Sequence, residues 1–200
     1  MPLPDRVIQR IAEHPWPKQV GETRLVSPYF FGRGTIERDF RYPDGKIMSF
    51  QLWDAEPPKD RASIVLPVTS EDLVVVLLQY CQAIGKAIVE VPGGVPSNDN
   101  EPDDEVAKRE VEEETGFEVG ELIDLGSAYW EPHYKTLAFS AFLAKDCRNI
   151  RPARPDATES ILVETLTWDE WMAVCRDVNL VRDSKSLTVT FLAMPYLGKL

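Results

Sequence analysis

Apolar and polar positions change rhythm several times along the 200-residue chain. Val7, Ile8, Ile11 and Ala12 recur at helical spacing, and His14-Pro15-Trp16-Pro17 closes the short helix they predict. From about residue 23 to 55 the pattern becomes strand-like in TRLVSPYFF, GTIERDFRY and KIMSFQLWD, with Pro43-Asp44-Gly45 marking a turn before the last. These segments predict an antiparallel N-terminal sheet, and EPPKDR at 56–61 reads as the connector that follows it.

ASIVLPVTS and EDLVVVLLQYC then predict two strong strands joined by a polar turn at Thr69-Ser70-Glu71-Asp72. AIVEVPGG predicts a further short strand ending in Gly-Gly, and VPSNDN is a polar loop leading to an acidic helix. ELIDLGSAYW, TLAFSAFLA and ESILVETLTW read as strands, whereas WDEWMAVCRDV and SKSLTVTFLAMPYL read as helices, the second interrupted by the β-prone LTVTF. Strands in hairpin-like succession, broken by one helix and finished by others, predict an α+β fold rather than regular βαβ alternation. Residues 1–60 form an N-terminal extension in this reading, and 61–200 the main domain.

Composition narrows the chemistry. A formal net charge of −11 excludes the basic surface that nucleic-acid binding requires and favours a metal cation as partner. LVVVLL at 73–78, the longest apolar run, is far too short to span a bilayer, and MPLPDRVIQRIAEHPWP lacks the apolar stretch of a secretion signal. Cys81, Cys147 and Cys175 show no CxxC spacing, so a reducing cytoplasm is the expected home and core packing the expected role.

The stretch REVEEETGF at 109–117 carries the sharpest signal. Pro102, Asp103, Asp104 and Glu105 suit a helix start, and Gly116 suits its end. On helical geometry Val106, Ala107, Glu110, Val111, Glu113 and Glu114 share one broad face, with Glu105, Lys108, Arg109 and Glu112 opposite. The face that must meet the core therefore carries three glutamates. Buried carboxylates without partners are costly, so the cluster calls for cations, and hard divalent ions take such oxygen ligands. A solvated acidic face is the competing reading, but the Gly-Gly turn upstream, where backbone can approach a ligand, and Arg109, able to orient a carboxylate, favour a site.

These residues resemble the Nudix hydrolase box, in which a glycine, five residues, a glutamate and seven residues precede R-E-U-x-E-E-x-G-U, with U bulky and apolar. Arg109, Glu110, Val111, Glu113, Glu114, Gly116 and Phe117 match the second half, and Glu101 stands at the expected distance before Arg109. Six residues instead of five separate Gly94 from Glu101. The resemblance implies a mixed-sheet α/β/α sandwich and Mg²⁺-dependent hydrolysis of a nucleoside diphosphate linked to another moiety, with Mn²⁺ able to substitute. It also implies Glu110 and Glu114 as principal metal ligands, Glu113 as a further ligand or water-positioning catalytic group, and a backbone carbonyl from Gly93. Arg109 joins the catalytic set as an orienting residue.

The chain also looks like the ADP-ribose pyrophosphatase branch, through RYPDGK, LLQYC, EVPGG, RDSKSL and Pro132, sixteen residues after Gly116. Gln79, Pro132, His133 and Trp53 are the substrate-binding candidates this implies, with Phe50 a second aromatic on the N-terminal sheet. Two wordings depart from the branch: Cys81 replaces its arginine, and EPHYKT replaces its usual loop. In RPARPDATES at 151–160, Glu159 and then Asp156 are the candidate general bases on an expected flap. The resemblance further implies a homodimer formed through the N-terminal sheet. ADP-ribose is the expected substrate; another nucleotide sugar, dinucleotide or dinucleoside polyphosphate, or a non-catalytic sensor of the same fold, are the alternatives.

Overall fold

The computed structural model describes residues 5–30, 33–53, 61–98, 100–129, 138–177, 179–180 and 183–199. In chain order these form α1 (Asp5–Glu13), β1 (Lys18–Phe30), β2 (Arg33–Arg41), β3 (Ile47–Trp53), β4 (Arg61–Thr69), β5 (Val74–Cys81), β6 (Lys86–Glu90) and β7 (Gly93–Gly94). There follow α2 (Asp103–Thr115), β8 (Phe117–Glu118), β9 (Glu121–Tyr129), β10 (Ala138–Asn149), β11 (Ile161–Leu166), α3 (Trp168–Arg176) and α4 (Ser184–Ala193). None of the described helices is long and apolar enough to cross a membrane.

The first three strands make an antiparallel sheet of their own, with β2 in the centre. The second sheet is mixed: β10 runs parallel to β4 and antiparallel to β9, while β11 and β6 flank β5 antiparallel. Its central strands β4 and β5 are apolar on both sides because both faces are covered there. Ile64, Leu66, Val68, Val76 and Leu78 join Val7, Trp171, Val174 and Val189 in one core, beneath α1, α3 and α4. Val65 and Val75 face the other way and meet Ala107, Val111 and Phe142 beneath α2. This is the expected α+β sandwich with an additional N-terminal sheet.

Three details sharpen the sequence pattern. The turn after β4 forms, with the Thr69 hydroxyl accepting from Glu71 and Leu73, yet β4 and β5 share only the Val68–Val74 pair. Beyond it β6 occupies that side of β5, then crosses so that Gly93 pairs with Ile64 of β4. The Gly-Gly turn is thereby delivered alongside α2. LTVTF is helical, because Asp183 caps α4 by accepting from Ser186 N–H, and Ser186, Val189, Thr190 and Ala193 form a buried stripe. Tertiary burial thus overrides the local β preference. Of the two tryptophans in WDEW, only Trp171 is fully buried, donating to Thr190 Oγ1 at 2.9 Å; Trp168 is half-buried.

The N-terminal segment is fastened to the larger unit. Val7 is completely buried in its core, and Arg6 and Arg10 donate to the carbonyls of Thr165 and Val163. Phe40 packs edge-on against Phe50 and Tyr80, which gives Phe50 a packing role. Arg38 reaches the Ala83 carbonyl at 3.0 Å.

Candidate active site

α2 begins at Pro102, whose extended backbone (φ −65°, ψ 149°) turns the chain into the helix, and Asp103, Asp104 and Glu105 offset the positive end of its dipole. It ends at Gly116, with φ 77° in the left-handed region, donating its N–H to the Glu112 carbonyl. Glu114 is 4% exposed, on the same side as the buried Val106, Ala107 and Val111. Glu110 retains 14% of its side-chain exposure, while Glu113 and Glu112 each retain 46%. Two glutamates therefore face inward, and Glu113 lies at the rim. Glu112 is turned away, onto Arg151.

The sequence pattern puts Arg109 on the opposite face, yet its long side chain reaches back to the carboxylates. It donates to Glu101 Oε1 at 2.8 Å, Glu110 Oε1 at 2.8 Å, Glu113 Oε2 at 3.0 Å and the Val95 carbonyl at 3.0 Å. Glu101 also accepts the Ser97 N–H at 2.5 Å, and its own N–H reaches the Asn98 carbonyl. The longer loop is folded into a turn around Asn98, which keeps Glu101 within reach of Arg109. Arg109, followed by the Ser97 N–H, holds the Glu101 carboxyl down to about 2.

Gly93 and Gly94 close over this cluster. The Gly93 N–H donates to Glu114 Oε2 at 3.0 Å. A Cβ at Gly94 would meet the Glu110 carboxylate and make it swing aside, so glycine lets that carboxylate lie against the turn. Burial pushes the Glu114 carboxyl well up, reinforced by the charges of Glu159, Glu110 and Glu90; the Gly93 N–H opposes the shift. Burial likewise raises Glu110, against the pull of Arg109.

The 151–160 segment forms the remaining wall. Its first part caps α2: Ile150 and Arg151 donate to the Gly116 carbonyl, and Arg154 N–H donates to the Glu113 carbonyl at 2.7 Å. Its far end is held by Tyr42, whose hydroxyl donates to the Thr158 carbonyl at 2.5 Å, and by Tyr80 N–H on the Ser160 carbonyl. Between these anchors Glu159 accepts the Asp156 N–H at 2.9 Å, and burial raises its carboxyl. The expected flap is thus tied down at both ends. Glu110, Glu113, Glu114 and Glu159 line one cavity of about 170 Å³ with Gly93, Gly94, Arg109, Arg154 and Asp156. A larger groove of about 760 Å³ runs past Arg61, Asp103, Lys108 and Ser140 but contains none of the box glutamates, so size does not locate the chemistry.

The other candidates are less closely gathered. Gln79 sits half-buried in β5, paired with Ile161 and Ile88, and does not line the cavity. Trp53 ends β3, opposite Thr35. Pro132 and His133 lie outside the described residues, as does all of EPHYKT. Cys81 is half-buried, and burial pushes its thiol up to about 12, so it supplies no charge in place of an arginine.

Glu90 and Arg154 escaped the sequence pattern. Glu90 is 8% exposed at the end of β6, and burial raises its carboxyl to about 7, opposed by Lys185. A single acid inside the apolar AIVEV was the available signal. The folded chain keeps this proton to higher pH than the unfolded chain, whose ordinary value is 4.5. Stability from this group therefore falls as pH rises between 4.5 and about 7. Glu90→Gln cannot ionise, so its Tm should exceed the wild-type value by several degrees at pH 8 and match it at pH 4; scanning calorimetry at both pH values checks this.

Among the described residues no three His, Cys, Asp or Glu side chains stand together at metal-ligand spacing, with Glu110 and Glu113 turned onto Arg109 and Glu114 onto Gly93. The donor set nevertheless fits a hard divalent cation. It offers only oxygen, two of its glutamates are largely buried, and the glycine cradle leaves no side chain between them and the turn.

The NUDIX domain family model matches residues 58–176. The ADP-ribose pyrophosphatase of Bacillus subtilis (strain 168) is 28% identical over 138 residues, 63% of this chain and 74% of that protein. A methanol dehydrogenase activator of Bacillus methanolicus is 28% identical over 165 residues, covering 76% and 86%. A solved structure titled as an ADP compounds hydrolase superposes with a TM-score of 0.63 at 17% identity, over 92% of this chain and 97% of that one.

Proposed function

The chain belongs to the Nudix hydrolase family, and from that premise we propose that it is a Mg²⁺-dependent pyrophosphohydrolase converting ADP-ribose to AMP and ribose 5-phosphate. The observation that carries this reading is the pairing of the inward Glu110 and Glu114 with a Gly-Gly turn, closed by a loop that presents Glu159. The Bacillus subtilis relative supports the choice of ADP-ribose.

Glu110 and Glu114, with the Gly93 carbonyl, would hold the divalent ion, and Glu113 at the rim would be a further ligand or position water. Bound there, the ion neutralises diphosphate charge and acidifies a bound water. Arg109 keeps Glu110 and Glu113 oriented through its fork of donors. Water attacks one phosphorus, its proton passes to Glu159, and the bridging P–O bond breaks with both phosphates leaving as monoesters. Burial raises Glu159 toward the working pH, which suits a general base.

Glu159→Gln should lower kcat by about 10²–10⁴-fold with KM little changed, and should erase the acidic limb along which wild-type kcat rises with pH. A pH–rate profile retaining that limb would remove Glu159 from the role.

Cys81 favours a second reading. Its neutral thiol forgoes a cation beside the sheet, so another nucleotide sugar or dinucleotide is the competing substrate. A panel of such compounds, compared by kcat/KM with mass-spectrometric identification of products, separates the two; ADP-ribose should lead by at least tenfold.

Gln79, Pro132, His133 and Trp53 remain the proposed substrate contacts. Residues 1–60 are the proposed dimerisation extension and 61–200 the hydrolase domain, although α1 packs on the larger unit. That Cys81, Cys147 and Cys175 form no disulfide supports a reducing cytoplasmic setting.

A further inference from the structure

Resting on the diphosphate-hydrolase reading, we infer that Arg154 is the side chain that grips the substrate's phosphoryl oxygens. The cavity is short of positive charge: Glu110, Glu113, Glu114, Asp156 and Glu159 line it, against the two arginines Arg109 and Arg154. Arg109 is fully engaged, with bonds to Glu101, Glu110, Glu113 and the Val95 carbonyl. The Arg154 side chain makes no hydrogen bond or ion pair with any other described residue. A dianionic diphosphate entering beside these acids meets repulsion, and among the described residues lining the cavity Arg154 is the arginine whose guanidinium is not already engaged by those acids.

The backbone fixes where this guanidinium starts. Arg154 stands between Pro152 and Pro155, and a residue before proline is confined to extended conformations. Its N–H is anchored to the Glu113 carbonyl at 2.7 Å, one of the carbonyls left open at the end of α2. The arginine is therefore tied directly to the helix that carries Glu110 and Glu114, while its side chain stays exposed at the cavity. A planar fork of donors matches phosphate oxygens two at a time, which a lysine does not reproduce.

Because the anchor is a backbone bond and the side chain is exposed, Arg154→Ala should fold and melt like the wild type. Calorimetric titration of ADP in the presence of Ca²⁺ is the test. ADP should bind Arg154→Ala at least tenfold more weakly than wild type, Arg154→Glu more weakly still, and Arg154→Lys in between. Equal ADP affinity in wild type and Arg154→Ala, or no ADP binding by wild type, overturns the assignment. ADP-ribose turnover measured alongside separates this from the substrate reading. A wild type that binds ADP through Arg154 yet leaves ADP-ribose intact contradicts that reading alone, and turnover with the same KM in Arg154→Ala contradicts only the role of Arg154.

Discussion

Glu114→Gln should abolish metal-dependent hydrolysis, with kcat reduced at least about 10³-fold, while the protein remains folded. Glu114 is 4% exposed and receives the Gly93 N–H, a bond that the glutamine carbonyl can still accept. What the variant loses is a charge, and burial already raises the carboxyl well above its ordinary range. Without divalent ions the variant should therefore melt no lower than wild type, and increasingly higher as pH rises above the ordinary carboxylate value of 4.5, because the wild-type group then bears the cost of staying protonated or ionising in place. With Mg²⁺ the order should reverse. A ligand at one hundred times its Kd stabilises the folded state by about 2.7 kcal/mol, a Tm increase of about 5–10 °C in a chain of this size. The wild type should show that rise and Glu114→Gln little of it. Loss of activity with the metal-induced rise intact would remove Glu114 from the ligand set.

Gly116→Ala should cost about 2–4 kcal/mol of stability and at least tenfold in kcat, for two separable reasons. The backbone at Gly116 has φ 77°, which by itself costs a residue with a Cβ about 1–2 kcal/mol. The added Cβ would also overlap the Arg151 carbonyl and approach Ala153 N to 3.1 Å. Backbone atoms cannot swing aside as a side-chain tip can, so the 151–154 segment must shift, carrying Arg154 and loosening the wall that holds Glu159. Gly126→Ala is the control. Its φ of 88° is equally left-handed, but nothing lies within 4 Å of an added Cβ. It should lose only the conformational increment of about 1–2 kcal/mol and keep full activity. Urea denaturation and steady-state kinetics on both variants check the pair.

The parts of the site legible in the sequence are those set by short-range rules. Pro102 and Gly116 announce the ends of α2, the 3.6-residue period puts Glu110 and Glu114 inward with Val106 and Val111, and the Gly-Gly pair marks a close backbone approach. Glu113 is where the period is least decisive, because it lies at the edge of the apolar stripe and keeps 46% of its side-chain exposure. Arg109 illustrates a further limit: its Cβ direction follows the helix, but its guanidinium reaches back to three carboxylates and a carbonyl. Glu90 was illegible in its surroundings because the passage of the chain from β6, paired with β5, to β7, paired with β4, depends on strand pairings that no local pattern encodes. The same holds for the Tyr42 hydroxyl on the Thr158 carbonyl, which joins residues 116 positions apart. The helical LTVTF was decided by the fit of Ser186, Val189, Thr190 and Ala193 to the sheet, a property of the assembled core.

The account stands or falls on metal-dependent cleavage of a diphosphate bridge, and the most direct measurement is mass-spectrometric analysis of ADP-ribose incubated with the purified chain, with and without Mg²⁺. The expected result is stoichiometric AMP and ribose 5-phosphate in Mg²⁺, abolished by EDTA and absent with Glu114→Gln. Intact ADP-ribose in Mg²⁺ together with an unreactive nucleotide-sugar and dinucleotide panel, or equal cleavage in EDTA, would contradict it.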